Sequence, residues 1–387
     1  MLSVDFYGIE DQLTDEEKMV QESAAKFVDR EVLPIIADCF ERGEFPMALV
    51  KKMGGEGFLG AALKTHGGAG IGPIAYGLMM QELERGDSGI RSFVSVQNSL
   101  VIYPIDRFGS QEQKDKWLPP LVSGDKIGCF GLTEADYGSD PGGMKTHARA
   151  DGDSYVLNGS KMWITNAGIA DLAVVWAYLD GVARGFLVEA DRPGITMSPI
   201  RHKFSMRASV TGDIVLNDCR VPRENLLPGT AAGLVSALQC LNQARNGIAW
   251  GVLGAAMACY REAVEHAKMR IMFGKPIGSY QLVQEKLADM LTGITAGQTL
   301  CMQLGRLMRN GGADHAQISM AKRNNARVAL DTARKARDVL GASGISVEYS
   351  TIRHMLNLES VFTYEGTDSI HTLILGKKIT GIDAVKR

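Results

Sequence analysis

The sequence lacks an excess of charge of either sign, and it lacks closely spaced cysteine pairs. Its 42 Lys and Arg residues balance 44 Asp and Glu residues, which gives a net charge of -2. Proteins that bind the nucleic-acid backbone carry a basic excess, so we predict no nucleic-acid partner. The six cysteines are scattered without a C-x-x-C pair, a pattern typical of reduced thiols in a reducing compartment. With 387 residues, the chain is long enough to fold around its own core without disulfides or a metal.

The sequence predicts neither a membrane-spanning segment nor a leader. The longest apolar run, residues 247–260, lies between Arg245 and Arg261 and is shorter than the roughly 20 residues that cross a bilayer. Residues 1–10 carry acidic side chains and no apolar core, so neither a signal peptide nor a transit peptide is expected. These features predict a soluble intracellular protein without a membrane partner. The bacterial cytoplasm is the favoured location, and the mitochondrial matrix is the alternative for a mature protein.

Several common catalytic motifs do not occur in this sequence. There is no P-loop, no G-x-S-x-G nucleophile elbow and no H-E-x-x-H pair among the seven histidines, so nucleotide triphosphate use, serine hydrolysis and a metal site are not predicted. Residues 55–60 match the dinucleotide pattern G-x-G-x-x-G in letters only. That pattern needs a preceding strand within a βαβ unit, and here it follows a helical segment. We predict a helix end and a loop.

The hydrophobic period divides the chain into three regions. Helical spacing dominates residues 1–126, where Thr14 and Glu17 form a capping box before the first apolar stripe. The period changes to two in residues 127–230, and helical spacing returns in residues 231–387. We therefore predict a mainly α protein with a β insert, in which an N-terminal helical domain, a central β-domain and a C-terminal helix bundle have these bounds.

The β insert contains a strong turn signal. Asn158 and Gly159 lie between two short apolar runs, 155–157 and 162–164, and both residue types favour positive φ, so a hairpin turn is predicted there. Further strands are predicted at residues 172–177, 186–188, 196–200 and 213–216.

Glycines and a cap mark the C-terminal helices. Gly311 and Gly312 should end one helix, Asp314 should cap the next, and Gly341 should end it. Gly247 and Gly251 are spaced to allow a close helix contact, or they are simply small residues in a crowded core.

Four segments carry polar residues in a specific arrangement. They read GLTEADYGSD at 131–140, NGSKMWITN at 158–166, RIMFGKPI at 270–277 and TYEGT at 363–367. Together they resemble the signatures of the acyl-CoA dehydrogenase flavoproteins, nearly end to end. Within that family the chain is most similar to glutaryl-CoA dehydrogenases. The markers of this similarity are LER at 83–85, DSG at 87–89, RS at 91–92, SVQ at 95–97, IRH at 352–354 and NLE at 357–359.

The resemblance implies a fold and an activity. The fold has an N-terminal helical domain, a central β-barrel-like domain and a C-terminal four-helix bundle. The cofactor is FAD, the substrate is glutaryl-CoA, the electron acceptor is an electron-transfer flavoprotein, and the assembly is a homotetramer. The expected reaction, in amino-acid degradation, is α,β-dehydrogenation with decarboxylation to crotonyl-CoA and CO2. The alternatives are a non-decarboxylating glutaryl-CoA dehydrogenase and a dehydrogenase of another short or dicarboxylic acyl-CoA.

Glu365 corresponds to the catalytic base of the family. A base must remove the α-proton of the thioester while hydride leaves the β-carbon for the flavin, so its carboxylate must be desolvated to raise its pKa. Gly366 would let the backbone approach the substrate, and the backbone N–H of Glu365 would polarise the thioester oxygen. An isolated Glu before a Gly would instead be a surface charge at a helix end.

Arg91 corresponds to the residue that selects a dicarboxylic substrate. A guanidinium can bind a carboxylate through two parallel hydrogen bonds. By resemblance, Arg91 binds the distal carboxylate of the acyl chain, with Glu84, Ser92 and Ser95 beside it. The alternative is a surface arginine paired with Asp87.

The remaining site residues follow from the resemblance alone. Tyr364, before the base, matches the decarboxylating members, since the others carry an aliphatic residue there. Asn242, Arg245 and Ser139 are expected on the coenzyme A side. The residues expected around the flavin and its phosphates are Phe130, Leu132, Thr133, Ser139, Trp163, Ile164, Thr165 and Thr367. Those expected to reach FAD at the adenine end or across a dimer interface are Arg270, Phe273, Gln281, Asp338, Gly341 and Ala342.

Overall fold

Helices form the first part of the chain in the computed structural model, which describes residues 4–385. The first helix begins at the predicted capping box, where the Thr14 hydroxyl accepts from the Glu17 N–H and the Glu17 carboxylate accepts from the Thr14 N–H. Two π-helical segments, Val28–Val32 and Val96–Ile102, interrupt the series. The α-helices are α1 (Asp15–Phe27), α2 (Leu33–Arg42), α3 (Leu49–Gly55), α4 (Pro73–Gly86), α5 (Ser88–Ser95), α6 (Tyr103–Phe108) and α7 (Gln111–Val122).

A curled, seven-stranded sheet follows the helices. The order along the sheet is β1-β4-β2-β3-β7-β6, and β5 pairs with β4. Most pairs are antiparallel, but β4 is parallel to both β1 and β2, so a long connection must separate it from each of them. The strands are β1 (Gly128–Gly131), β2 (His147–Asp151), β3 (Ser154–Thr165), β4 (Leu172–Leu179), β5 (Val182–Glu189), β6 (Ile195–Pro199) and β7 (Thr211–Pro222).

The predicted hairpin at Asn158 and Gly159 is wrong. Residues 154–165 form one continuous strand, β3, and the register against β7 shifts between Leu157 and Gly159. The Asn158 side chain bonds to Asp218 across this irregularity, and a Cβ at Gly159 would lie 2.5 Å from the Thr146 hydroxyl. The turn residues therefore make a β-bulge against neighbouring strands, which a local turn signal does not distinguish from a hairpin. The other predicted strands lie within β4, β5 and β7 or overlap β6.

Long helices return in the last part of the chain. Asp314 caps its helix in a capping box with Gln317, as predicted. Helix α10 packs against α8, α9, α11 and α12, and the expected mainly α fold with a β insert and a C-terminal four-helix bundle (α8–α11) is confirmed. The helices are α8 (Leu234–Met269), α9 (Gln281–Arg309), α10 (His315–Val339), α11 (Ser350–Thr363) and α12 (Asp368–Thr380), with a two-stranded ribbon, β8 (Ile271–Met272) and β9 (Lys275–Pro276), between α8 and α9. Within residues 4–385, no helix is both long and apolar enough to cross a membrane.

Helices α4 and α8 touch through glycines. A Cβ at Gly247 would lie 3.2 Å from Tyr76 and Met80 side-chain atoms, and one at Gly251 would lie 2.2 Å from a carboxylate oxygen of Glu84. One turn on, a Cβ at Gly254 would lie 1.8 Å from the Gln81 carbonyl oxygen. The glycine spacing therefore allows a close helix contact, and this contact fixes the position of α4 along α8.

We expect the substitution Gly254→Ala to separate α4 from α8. The new methyl group meets backbone rather than a movable side chain, so overpacking should lower the free energy of unfolding by about 2–3 kcal/mol. Gly55→Ala is the matched control, because Gly55 is exposed in α3 and nothing lies within 4 Å of its added Cβ. That variant should be as stable as the parent or more so. Thermal unfolding of both variants measures the difference, and equal midpoints would contradict the close contact.

Candidate active site

The turn between α11 and α12 presents Glu365 in an uncommon backbone conformation. Glu365 has φ of 53° and Gly366 has φ of 93°, so two left-handed residues follow each other. Arg245 of α8 donates from Nε to the Glu365 carbonyl at 2.8 Å, and its Nη1 lies 3.5 Å from the Asn242 side-chain oxygen. A Cβ at Gly366 would lie 3.0 Å from the His371 ring. The backbone N–H of Glu365 makes no hydrogen bond within the described chain.

The Glu365 carboxylate is poised to accept a proton near neutral pH. The residue is half-buried, but its Oε2 atom is buried and has no hydrogen-bond partner among residues 4–385. Burial raises the pKa of this carboxyl to about 7, against the opposing charges of Arg245, Arg91 and Lys322. A group of this pKa is matched to proton abstraction at physiological pH. The helix-end surface charge considered for Glu365 is therefore wrong.

Arg91 lies in the interior and pairs with Glu84. Its side chain is 1% exposed and that of Glu84 is 0% exposed, and Nε donates to Glu84 Oε2 at 2.6 Å. Its Nη2 donates to the Tyr364 hydroxyl, whereas Nη1 has no partner among the described residues. Burial opposes the charged form, but Glu84 more than compensates and raises the pKa of Arg91, so the guanidinium stays protonated. The alternative of a surface arginine paired with Asp87 is wrong, because Asp87 bonds to Arg353.

Two hydroxyl groups lie near Arg91 on α5. Ser92 and Ser95 are both buried, and the Ser95 Oγ has no hydrogen-bond partner in the described part of the chain. Ser95 lies one helical turn after Arg91, so the two side chains share a face of the helix. A buried guanidinium and an unbonded buried hydroxyl on one face can receive an oxygen-rich group such as a carboxylate.

A second surface lies on the sheet, where the two predicted flavin segments meet. The Met162 N–H donates to the Thr133 carbonyl at 2.9 Å, which joins the segment after β1 to β3. Trp163 has φ of 62° and is 56% exposed, so its indole presents a large apolar face. Phe130, Leu132 and Ile164 are buried beneath this surface, Thr133 and Thr165 are half-buried, and Ser139 is exposed. Thr367 caps α12 by accepting from the Ile370 N–H.

Glu134 and Lys161 organise this surface, and neither residue is predicted from the sequence. Lys161 donates to the Glu134 carboxylate at 2.9 Å and to the Leu132 carbonyl at 3.0 Å. Glu134 also accepts from the backbone N–H groups of Lys145 and Thr146. Burial lowers the pKa of Lys161 to about 8. A lysine among apolar residues within a strand was the available signal, but its partner lies 27 residues away.

The remaining predicted cofactor residues lie at the other end of the bundle. Phe273, 90% exposed with φ of 49°, sits in the ribbon after α8, and Asp338 near the end of α10 pairs with Lys286 of α9. Along α10, Asp338 is about 24 Å from Lys322, at roughly 1.5 Å per residue. The structure thus does not bring this group together with Glu365. Its other members, all exposed, are Arg270, Gln281, Gly341 and Ala342.

Three family models match the chain. They are the acyl-CoA dehydrogenase N-terminal domain at residues 14–125, the middle domain at residues 129–219 and the C-terminal domain at residues 231–380. The chain therefore belongs to the acyl-CoA dehydrogenase family.

Solved structures and curated relatives give different substrate names. Glutaryl-CoA dehydrogenase from Mycobacterium smegmatis is 50% identical, with a TM-score of 0.97 and 98% of each chain covered. A glutaryl-CoA dehydrogenase from the same organism in complex with FADH2 is 47% identical, with a TM-score of 0.97 and 99% of each chain covered. Among curated proteins, the human mitochondrial short-chain specific acyl-CoA dehydrogenase is 38% identical over 94% of this chain and 90% of its own length.

This chain is a flavin-dependent oxidoreductase, and its cofactor is FAD. The residues present fit that group. Trp163 offers an exposed aromatic face next to the Thr133 carbonyl, and stacking on an aromatic face suits a planar ring system. Glu365 provides a buried, unbonded carboxylate oxygen, as expected beside a site where a substrate is oxidised.

We expect Lys161→Met to weaken FAD retention. The change leaves Glu134 buried without its counter-charge, which should cost about 3 kcal/mol and loosen the loop that follows β1. Lys116→Met is the control, because Lys116 pairs with Glu189 on the exposed surface of the same region. The ratio of flavin absorbance to protein absorbance after dialysis measures retention. Full retention by Lys161→Met would show that the buried pair does not support the flavin surface.

Proposed function

We propose that this enzyme oxidises glutaryl-CoA and decarboxylates the product to crotonyl-CoA and CO2. The observation that carries the proposal is the buried Arg91, whose Nε and Nη2 atoms are held by Glu84 and Tyr364 while Nη1 has no partner among the described residues. From Nη1, a cation this far from water would donate a strong, charge-assisted hydrogen bond to a carboxylate at the end of an acyl chain. Ser95, one turn along the same helix, would donate a further hydrogen bond to that carboxylate.

Glu365 would act as the base of the reaction. Its carboxylate would remove the α-proton of the thioester, while FAD supplies the acceptor for the hydride that leaves the β-carbon. The unbonded N–H of Glu365 would donate to the thioester oxygen and so acidify the α-carbon. Gly366 leaves the backbone open on that side, and Arg245 and Asn242 would border the coenzyme A arm together with Ser139.

Tyr364 supports the decarboxylating outcome. In glutaconyl-CoA, the bond to CO2 can break because its electron pair delocalises into the unsaturated thioester, and a proton from the Glu365 carboxyl would complete crotonyl-CoA. Arg91 must hold the carboxylate without stabilising its charge too strongly. The Tyr364 hydroxyl bonds to Nη2 of Arg91, and it thereby occupies a donor that would otherwise bind the carboxylate.

A second candidate is the dehydrogenation of a short monocarboxylic acyl-CoA. It is supported by the 38% identity to the human short-chain specific acyl-CoA dehydrogenase. The Arg91–Glu84 pair is neutral as a whole, so it does not by itself exclude such a substrate.

The family supports several further proposals. We infer that the three domains have the bounds 1–126, 127–230 and 231–387, that the flavin contacts come from the sheet residues and Thr367, and that the enzyme reduces an electron-transfer flavoprotein in amino-acid degradation. The exposed Phe273 and the other residues at its end of the bundle would reach the FAD of a neighbouring subunit in a homotetramer. The proposed location is the bacterial cytoplasm.

The double variant Glu84→Gln/Arg91→Gln tests the substrate without leaving a buried charge unpaired. We expect kcat/KM for glutaryl-CoA to fall about 100-fold, since charge-assisted hydrogen bonds of roughly 1.5–3 kcal/mol each are lost, while the value for butyryl-CoA stays within a few-fold. The control is Asp87→Asn/Arg353→Gln, which removes the neighbouring buried pair. That control should lower stability and leave the ratio of the two substrates unchanged. A wild-type preference for butyryl-CoA would favour the second candidate.

The substitution Tyr364→Phe tests the role of the hydroxyl in decarboxylation. Loss of the bond to Arg91 frees a guanidinium donor for the carboxylate, so we expect the product to shift from crotonyl-CoA towards glutaconyl-CoA. Tyr364→Val removes the ring as well and serves as the comparison. Mass spectrometry of the acyl-CoA products distinguishes the outcomes. A shift in the Val variant alone would assign the effect to ring volume, and glutaconyl-CoA from the wild-type enzyme would overturn the decarboxylation proposal.

A further inference from the structure

Three successive backbone carbonyls around Glu365 are held by two buried cations. Arg245 donates to the carbonyl of Glu365 itself at 2.8 Å. Lys322 of α10 donates to the carbonyls on either side, at 3.0 Å to Tyr364 and 2.9 Å to Gly366. These bonds come from different helices, so they fix the turn between α11 and α12 against the body of the bundle.

A lysine is unusual at a buried position such as that of Lys322. It is 1% exposed, and it forms no ion pair with any carboxylate among residues 4–385. A buried ammonium without a counter-charge is costly, and such lysines are rare unless something requires them. Within the described part of the chain, its only hydrogen-bond partners are the two carbonyls. Hydrogen bonds to two carbonyls within a turn of two left-handed residues would stabilise a conformation that a glutamate rarely adopts.

We infer that Lys322 is a positioning residue for the base, holding Tyr364 and Gly366 so that the Glu365 carboxylate faces the substrate. The inference rests on the proposed role of Glu365. An amine donates hydrogen bonds whether or not it is protonated, so the positioning does not depend on the charge. The charge has a separate effect, because an ammonium near a carboxylate favours its ionised form.

Positioning and charge affect different measured quantities: positioning affects the rate of proton abstraction, and the charge affects its pH dependence. Burial lowers the pKa of Lys322 to about 7, against the charge of Glu365, so part of the Lys322 population carries charge at neutral pH. Removing that charge should raise the pKa of Glu365 and move the onset of base activity to higher pH. The other ionisable groups that act on Glu365 or Lys322 are Tyr76 of α4, Arg91 of α5, Cys240 and Arg245 of α8, Tyr364 in the turn, and Asp368 and His371 of α12.

Proton abstraction can be measured without oxidation. In the holoenzyme with its flavin reduced beforehand, under anaerobic conditions in D2O, the α-hydrogens of glutaryl-CoA exchange only if the base removes them. Butyryl-CoA is run in parallel, and mass spectrometry gives the exchange rate at each pH. The variants are Lys322→Met, which removes donor and charge, and Lys322→Gln, which keeps a donor. The matched control is Lys203→Met, because Lys203 also donates to a backbone carbonyl, that of Ser209 at 3.0 Å.

We expect Lys322→Met to slow exchange about 100-fold, since small displacements of a reacting group cost rates of this order. Lys322→Gln should recover part of the loss, and both variants should show a higher pH midpoint than the wild type. Lys203→Met should match the wild type. Thermal unfolding and flavin content identify preparations that are folded and loaded.

Three outcomes would overturn the inference or its basis. Wild-type exchange and an unshifted midpoint in folded Lys322→Met would overturn the positioning role. If the Met and Gln variants lose the same amount of exchange rate and the pH midpoint of exchange does not shift, Lys322 contributes to fold stability alone. If Glu365→Gln exchanges both thioesters as fast as the wild type, the proposed base is wrong, which is a separate failure.

Discussion

The buried ion pair between Glu84 and Arg91 is the constraint on which the site depends. Two opposite charges can share the interior only if they lie close together, because each of them loses its hydration on burial. The glycine contact between α4 and α8 makes this possible, because any side chain at Gly251 would occupy the space of the Glu84 carboxylate. The pair fixes the guanidinium, and the guanidinium in turn meets the Tyr364 hydroxyl. A contact between two helix backbones thus decides where Tyr364, the residue before Glu365, is held.

Burial and the neighbouring cations shift the pKa of Glu365 in opposite directions. Burial raises the pKa of the carboxyl, whereas the cations Arg245, Arg91 and Lys322 lower it. Each cation donates hydrogen bonds to another group. Arg91 donates to Glu84, and Arg245 and Lys322 donate to backbone carbonyls of the turn. Because no cation among residues 4–385 hydrogen-bonds directly to the carboxylate, burial prevails and the pKa rises to about 7. The same groups that shape the turn therefore leave the carboxylate basic enough to remove a proton.

Local signals predicted the fold better than they predicted the site. The caps at Thr14 and Asp314 are contacts over three residues, so the sequence alone specifies them. The hairpin prediction failed because the shape of β3 is set by β7, which lies about 60 residues further along the chain. Lys161 and Lys322 escaped notice for the same reason, since their partners lie 27 and more than 40 residues away. Glu365 and Arg91 were found through motif resemblance, and only the structure gives the bonds that surround them.

A single fold can accommodate both of the substrate classes for which the relatives are named. Family membership fixes the sheet, the bundle and the flavin surface, and it does not fix what fills the far end of the acyl pocket. In the proposed function, that end is formed by Arg91, which is paired with Glu84, and by the Ser95 hydroxyl, which has no hydrogen-bond partner among the described residues. A monocarboxylic chain would then leave Nη1 and that hydroxyl without partners after water is expelled, and unpaired buried donors cost more than a lost methylene contact. On this proposal, discrimination between the two substrate classes would depend on the polar groups of α5 rather than on the fold.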